Sequence, residues 1–600
     1  MAMVVFICHK LPDSHYIILF LVYKLFCMSS IDWIVLVGTL TGIIAYGLYK
    51  SRTSKNLEGY FLSNRSLPWY LVLLSIMGTQ ASAITFLSAP GQAFTDGMRF
   101  VQYYFGLPLA MVILCITFVP LYSRLKVFTA YEFLEKRFDS RTRTFTSFLF
   151  LLSRGLSTGV SIYAPSIILS SLLGWDIFWT NIVMGGLLII YTVSGGAKAV
   201  AYTQKIQMVI IFGGMFTAGY CMMHYLPSGI GFKQALQLSG AGGKLNVITT
   251  GFTKNGFDWK DRYNIVSGVI GGFFLALSYF GSDQSQVGRY LAAKDSMESK
   301  VGLLMNGLVK VPMQFFILLL GAMLFAFYQF NAAPVFFNKA LADKGKTTVY
   351  QSKLITLEKD YYQQQLLQQN NSKAYLLNIH DVELKAKLKI EATKLTEIQK
   401  EYKTILKKAL PTADTNDTNY IFLRFVIDFL PKGIVGLLIA IIFMSAWGSI
   451  AAALNALASC TMIDFHKRIK KDYSRFENQN AISSYEYKTS KLYTLAWGIF
   501  SIITAELSSG IGSLIEAVNI LGSLFYGVIL GIFLVGFYLK RVEGKSVFYG
   551  AIISEIIIVV LFALDKYEII GLGFLWLNVI GALLVLLISS VLEILFRKSL

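Results

Sequence analysis

Residues 74–94 read LSIMGTQASAITFLSAPGQAF. The run is apolar enough for a bilayer interior, yet Gly78, Thr79, Gln80, Ser82 and Thr85 interrupt it, ahead of Pro90 and Gly91. A helix in hydrocarbon must satisfy its backbone groups internally, so a break is tolerated only where it is buried in protein or lines a cavity. Small polar residues let such a helix unwind and turn carbonyl oxygens toward a cation. Close helix packing uses the same residue types, so this stretch alone leaves both uses open.

Two further stretches extend the pattern. Residues 268–286, GVIGGFFLALSYFGSDQSQ, carry Gly271 and Gly272 early and Gly281, Ser282, Asp283 and Gln284 late. A glycine-interrupted span early in each half of a chain is the pattern of inverted-repeat secondary transporters. Residues 441–465, IIFMSAWGSIAAALNALASCTMIDF, place Ser445, Gly448 and Ser449 at i, i+3 and i+4, on one helix face. Two hydroxyls there, with carbonyls from an unwound segment, make a set of hard oxygen ligands suited to Na+. Ordinary small-residue packing seams share that spacing.

The composition agrees with a membrane protein. Of 600 residues, 55% are hydrophobic and only 15% charged, and the mean hydropathy is +0.57. A soluble chain carries about a quarter of its residues charged. The net charge of +19 does not point to nucleic acid as a partner, because basic cytoplasmic loops account for it in a membrane protein. Cys8, Cys27, Cys115, Cys221 and Cys460 are dispersed without a C-x-x-C pair, which indicates neither a disulfide framework nor a zinc site. His9, His15, His224, His380 and His466 lie away from the middle of long apolar runs, against a haem-ligating subunit. Glu516, Glu555 and Asp283 are isolated and form no acid–base constellation, so no enzyme is expected.

About thirteen apolar stretches are long enough to cross the hydrocarbon layer. They lie near 31–49, 69–92, 101–121, 144–171, 176–194, 204–224, 264–282, 302–330, 421–462, 491–509, 513–539, 546–564 and 572–596. The loops KSRTSK, EKRFDSRTRTF, GRYLAAKDSMESK, DFHKRIKKDYSR, YLKRVEGK and the terminal FRKSL are basic, and the intervening SLLGWD, ELSSGIG and DKYEIIG are nearly free of Lys and Arg. The positive-inside rule puts the basic set and the C-terminus in the cytoplasm, of a cell or inner membrane.

Four segments follow. Residues 1–27 hold a short apolar run broken by Lys24, just before Met28; they are expected to be an N-terminal extension or a misassigned start. Residues 28–330 hold the first spans, with the first inverted repeat, and residues 421–600 the rest. Residues 331–420 carry 14 Lys and 10 acidic residues with helical periodicity. They are expected to form an extracytoplasmic α-hairpin turning near Asn370–Ser372 or Asn378–Asp381, either a docking arm for a protein partner or a solvated spacer.

At this point the sequence resembles the sodium:solute symporter family, which includes sodium/glucose, sodium/monocarboxylate, sodium/pantothenate and sodium/iodide cotransporters. The matching stretches are ASAITFLSAPG, FTAYEFLEKRFD, TGVSIYAPSIILSSLLGWDIF, YTVSGGAKAVAYTQKIQ, YFGSDQSQVGRYLAAK, MSAWGSIAAALNALASCTMIDF and YLKRVEGKSVFYGAI, in family order. The resemblance implies an all-α integral membrane protein with an inverted five-helix-repeat core that imports a small-molecule solute with Na+ as coupling ion by alternating access. It implies a cation site at the backbone of Gly78 and Ala81 with Ser445, Gly448 and Ser449. Gly448 stands where many members have a second hydroxyl. Gln204 stands where other members have an Asp, which favours one Na+ per cycle.

The same resemblance places solute contacts at Thr85, Tyr104, Leu107, Ala276, Lys310 and Asn519, with Tyr279 as the cytoplasmic gate of the pocket. Leu107 and Ala276 lack the polar character of a galactose site. Arg154, deep in the run FLFLLSRGLSTGV, either pairs with a solute carboxylate or is satisfied by a protein acid or the membrane edge. Two buried cations, with the Gly195–Val200 form GGAKAV, lean toward an organic anion, a monocarboxylate or vitamin-like solute. A sugar or polyol symporter is the alternative, and a transporter-fold sensor without transport is the alternative from another class.

Overall fold

A computed structural model describes residues 29–51, 56–411, 413–469, 479–508 and 513–598. The expectation for residues 1–27 lies outside them. Among the described residues, the only strands are Phe252–Thr253 and Gly256–Phe257, which pair in a short hairpin. The rest of the regular structure is helical. Among the described residues, nine helices are long and apolar enough to cross a bilayer, or ten if one bent pair is a single span. Helices stand at all the expected span positions, but the expected count of thirteen is not reached by this measure. Ile177–Val193 and Ser267–Ser282 are apolar but short, and Gln479–Glu506 begins with the polar sequence QNAISSYEYKTSK.

The bent pair is the quoted stretch. Trp69–Gln80 and Ala83–Asp96 meet at 60°. The first half ends as Ala81 N donates to the Met77 carbonyl (2.7 Å), and the second begins as Thr85 N donates to the Ser82 carbonyl (2.9 Å). The second repeat opens on a matching interruption. A π-turn at Ser267–Gly271 leads into helix Gly272–Ser282, Asp283 adopts extended backbone (φ −75°, ψ 115°), and helix Gln284–Leu291 follows. Asp283 caps that helix by accepting from Ser285 N at 2.8 Å. Gly272 is required by close approach, because a Cβ there would lie 2.5 Å from the Tyr103 carbonyl oxygen.

Helix Ser296–Tyr328 packs along both halves of the broken span, and helix Ile434–Cys460 packs on Ser30–Ser51, Ser140–Leu173 and Ile177–His224. Almost every residue of Ile434–Cys460 is buried, which places this helix at the centre of the bundle. Outward-facing apolar side chains such as Ile34, Ile190, Phe216, Ile556 and Leu587 remain exposed, as a surface bathed in lipid allows.

Three of the basic loops meet, those that carry Arg137 and Arg143, Arg468, and Leu539. Arg143 pairs with Asp464 at 2.5 Å, Arg468 pairs with Glu135, and Arg137 donates to the Leu539 carbonyl at 3.0 Å. The bond from Arg468, against the opposing effect of burial and with a second bond from Arg143, holds the Glu135 carboxyl below the usual carboxylate range.

The segment 331–420 is helical. Helices Gln351–Leu377 and Val382–Ala409 form a hairpin that turns at the second expected position, where Asp381 caps the return helix through Glu383 N and Leu384 N. The hairpin rests on the bundle. Gln365 donates to the Tyr328 carbonyl at 3.3 Å and Gln369 to the Phe330 carbonyl at 2.8 Å. Its exit passes over the second half of the broken span: Ser88 donates to Asn419 at 2.7 Å.

Candidate functional site

The two interruptions bring backbone and side-chain oxygens into the bundle centre. The carbonyls of Gly78 through Ala81 lose their i+4 partners because the helix stops at Ala81. Facing this half-helix is Ile434–Cys460. Ser445 Oγ is buried there and has no hydrogen-bond partner. Ser449 Oγ donates to the Ser445 and Ala446 carbonyls at 3.1 and 3.0 Å, which leaves its lone pairs free. Freed carbonyls and hydroxyl oxygens are the ligands a hard monovalent cation takes, and an orphaned buried hydroxyl beside them fits such an ion. Among the described residues no group of His, Cys, Asp or Glu could hold a metal.

Gln204 binds the two sides together. Its Nε2 donates to Thr79 Oγ1 (3.2 Å) and to the Gly448 carbonyl (3.1 Å), and its Oε1 accepts from Ser75 Oγ (2.7 Å). Both glycines make room for it. A Cβ on Gly78 would lie 2.9 Å from Gln204 Cγ, and one on Gly448 would lie 2.7 Å from Gln207 Oε1 and 3.3 Å from Gln204 Cγ. Gly448 therefore contributes a carbonyl already engaged by Gln204, and the space of a second hydroxyl is filled by glutamine. Sequence reasoning singled out Gln204 only as a missing carboxylate. Its bridging role, with Ser75 and Gln207, went unseen; the available signal was the pair Gln204 and Gln207, one helical turn apart in an apolar span.

Most of the residues expected to contact solute fall into two groups. In the first, Lys310 Nζ lies 5.4 Å from the centre of the Tyr104 ring. Tyr104 packs edge-on to Tyr103 at 4.8 Å, and Tyr103 OH donates to Asn519 Oδ1 at 3.0 Å. Leu107 is buried just beyond, Ala276 lies one turn after Gly272, and Thr85 is buried on the second half of the broken span.

In the second group, Arg154 lies 3.6 Å from Asp283. It bonds Ser285 Oγ, reaches Tyr279 OH at 3.4 Å and sits 5.5 Å over the Tyr279 ring. Asp283 also accepts from Ser285 Oγ (2.6 Å) and Tyr526 OH (2.7 Å), and Gln286 donates to Tyr279 OH at 2.7 Å. Of the alternatives for Arg154, the structure displays pairing with a protein acid, an acid on the second interrupted helix. Tyr279, expected as a gate, is held in this network from two sides.

An apolar groove of about 700 Å³ opens between Phe212–Met223 and Leu308–Met323. None of the expected site residues lines it.

An all-α bundle with two interrupted helices, one facing hydroxyls on a central helix, defines a cation-coupled secondary transporter. The profile of the sodium:solute symporter family matches residues 60–356 and 399–554. The chain is 26% identical over 576 residues to the sodium/sialic acid symporter SiaT of Proteus mirabilis, covering 95% of this chain and 96% of that protein. It is 31% identical over 257 residues to the human sodium/iodide cotransporter, covering 42% of this chain and 38% of that one. A solved structure described as the substrate-bound outward-open state of a Na+-coupled sialic acid symporter superposes with a TM-score of 0.71 at 24% identity, over 94% of this chain and 98% of that one. The chain belongs to the sodium:solute symporter family. It is a multi-pass membrane transporter, not an enzyme, and Na+ is its coupling ion.

Proposed function

We propose that the chain imports an organic anion together with one Na+ per cycle. Gly78 and Ala81 offer carbonyls, and Ser445 and Ser449 hydroxyls, to the ion. The solute is held among Thr85, Tyr104, Ala276, Tyr279, Lys310 and Asn519, with Arg154 fixing Tyr279 through the Asp283 network. Coupling is reciprocal: Na+ tightens solute binding by the factor with which solute tightens Na+ binding. The observation that carries the ion site is the buried, unpartnered Ser445 Oγ opposite a helix break. A single ion is supported by Gln204, a neutral side chain that takes up the Gly448 carbonyl. The basic loops are cytoplasmic in this scheme, with the 331–420 hairpin outside.

An organic anion is supported by Arg154 and Lys310, two of the four buried cations among the described residues, and by end-to-end similarity to symporters of sialic acid. A neutral sugar or polyol is the second reading, favoured by the Lys310–Tyr104–Tyr103–Asn519 chain and by 24% identity over 88% of this chain to the sodium/glucose cotransporter of Vibrio parahaemolyticus. A thermal-shift screen of sialic acids, monocarboxylates, vitamins, amino acids, sugars and polyols, run in Na+ and in K+, separates them. A substrate stabilises the protein more in Na+. Acids alone doing so supports the first reading, and sugars or polyols alone the second.

A further inference from the structure

The apolar groove beside helix Ser296–Tyr328 belongs neither to the ion site nor to the residues expected to hold solute. Two residues hollow it out. Pro312 sits inside that helix and lacks the N–H that would engage the Leu308 carbonyl. Gly219, on the facing wall, lacks a side chain, and a Cβ there would already lie 3.0 Å from Leu320 Cδ2. The floor is formed by Phe86, Met313, Ile317 and Met323, all buried. The rim is open: Phe216 is 72% exposed, and Leu308, Phe316 and Tyr220 are exposed with it. Among the described residues, no charged or amide side chain lines the groove. Four methionines do, Met215, Met223, Met313 and Met323, and such soft side chains adapt to a flexible apolar guest.

The occupant follows from how the groove is reached. Its walls are two membrane spans, Gly195–His224 and Ser296–Tyr328, and its rim is continuous with their lipid-facing surface. It therefore opens sideways into hydrocarbon. One end reaches Phe232, which starts a short helix, Phe232–Ala241, that packs against Ser296–Tyr328 and the hairpin helix Gln351–Leu377. Near this end Tyr220 stacks on His224 at 6.1 Å and His224 on Tyr225 at 5.6 Å, and Lys233 is exposed next to Phe232. Aromatic rings with polar tips at the end of a span, with a cation beside them, sit at headgroup depth.

We infer that the groove holds one acyl chain of a phospholipid from the leaflet on the hairpin side, with the headgroup at the Tyr220–His224 end and the chain running inward to Phe86. Phe86 follows Thr85 on Ala83–Asp96, the half-helix after the break. The lipid thus packs where a span of the first repeat, a span of the second and the broken span meet. Movement of one repeat against the other changes the width of this seam, so the lipid binds one conformation better than another and stabilises it.

The test uses the full-length protein in vesicles of phosphatidylethanolamine and phosphatidylglycerol, doped with a phosphatidylglycerol that carries a diazirine midway along one acyl chain. After irradiation, adducts are mapped by mass spectrometry. Phe86, Met313 and Ile317 are labelled although buried. Gly219→Phe, which fills the groove, cuts that labelling about tenfold and leaves labelling of the lipid-facing Ile190 and Leu587 unchanged. Leu308→Trp, at the rim, serves in its place should that variant fail to fold. In detergent, phosphatidylglycerol raises the melting midpoint of delipidated wild type and raises that of the filled variant less. Adducts confined to Ile190, Leu587 and similar outward residues, with the floor bare, overturn the proposal. Floor labelling undiminished in both variants overturns the placement of the chain. A bare floor that becomes labelled only when a dimer is dissociated makes the occupant a second copy of the protein, and likewise overturns it.

Discussion

Gln204 and Gly448 are hydrogen-bonded across the centre of the bundle, Nε2 to carbonyl oxygen at 3.1 Å, and the missing side chain of Gly448 is what lets the glutamine in. Gln204→Ala leaves Ser75, Thr79 and the Gly448 carbonyl short of partners, at about 1–3 kcal/mol for a buried unsatisfied group. Gly448→Ser drives a Cβ to 2.7 Å from Gln207 and 3.3 Å from Gln204. Each change lowers stability and apparent Na+ affinity. The double variant loses less than the sum, with a coupling of about 0.5–3 kcal/mol. Melting midpoints and Na+ titrations of the four proteins measure it, and strict additivity contradicts the contact.

Ser445 and Ser449 differ from such structural groups. Ser445 Oγ has no protein partner, and Ser449 Oγ bonds only carbonyls of its own helix. Alanine at either position should change ligand-free stability by less than about 0.5 kcal/mol, as substitutions without a packing or pairing cost do. It should weaken apparent Na+ affinity at least tenfold, or about 1.4 kcal/mol. Destabilisation with unchanged Na+ affinity would make the hydroxyls structural.

The Arg154–Asp283 pair spans two helices and is buried. Removing one partner strands the other, at about 3–5 kcal/mol, whereas replacing both with apolar side chains is often neutral. Asp283→Asn and Arg154→Met should each lower the melting midpoint sharply, and Arg154→Met with Asp283→Leu should recover most of it. Tyr526→Phe, which removes the 2.7 Å donor to Asp283, should cost about 1 kcal/mol.

Contact between the hairpin segment and the broken span is backbone-tight. A Cβ on Gly91 would lie 2.0 Å from the Thr418 carbonyl oxygen, so Gly91→Ala forces one of them aside. It should reduce both the melting midpoint and the uptake rate, while Ser88→Ala, which removes one buried bond to Asn419, should have a smaller effect of about 1 kcal/mol. Equal, negligible effects would mean that this segment yields freely.

Much of the fold was legible in the chain. The broken span showed itself because Gly78, Thr79, Gln80 and Ser82 have no business in a plain lipid helix, and the second interruption because Asp283 follows Gly281 and Ser282. The hairpin showed itself through helical periodicity, although two turn sites fitted equally until Asp381 proved to cap the return helix. Span counting was less secure. Length and hydropathy fail where a helix is short, as at Ile177–Val193, or begins polar, as at Gln479–Glu506. Pairings across the bundle could not be read at all. Arg154 and Asp283, like Gln204 and Gly448, are far apart in sequence, and only packing brings them together.

Uptake into proteoliposomes tests the central claim most directly. Protein reconstituted alone, given the labelled acid that wins the thermal-shift screen and an inward Na+ gradient, should accumulate solute above its equilibrium level. Accumulation should collapse when K+ replaces Na+ or when the protein carries Ser449→Ala. Uptake at full rate without Na+, in wild type and variant alike, would contradict Na+-coupled symport through this site.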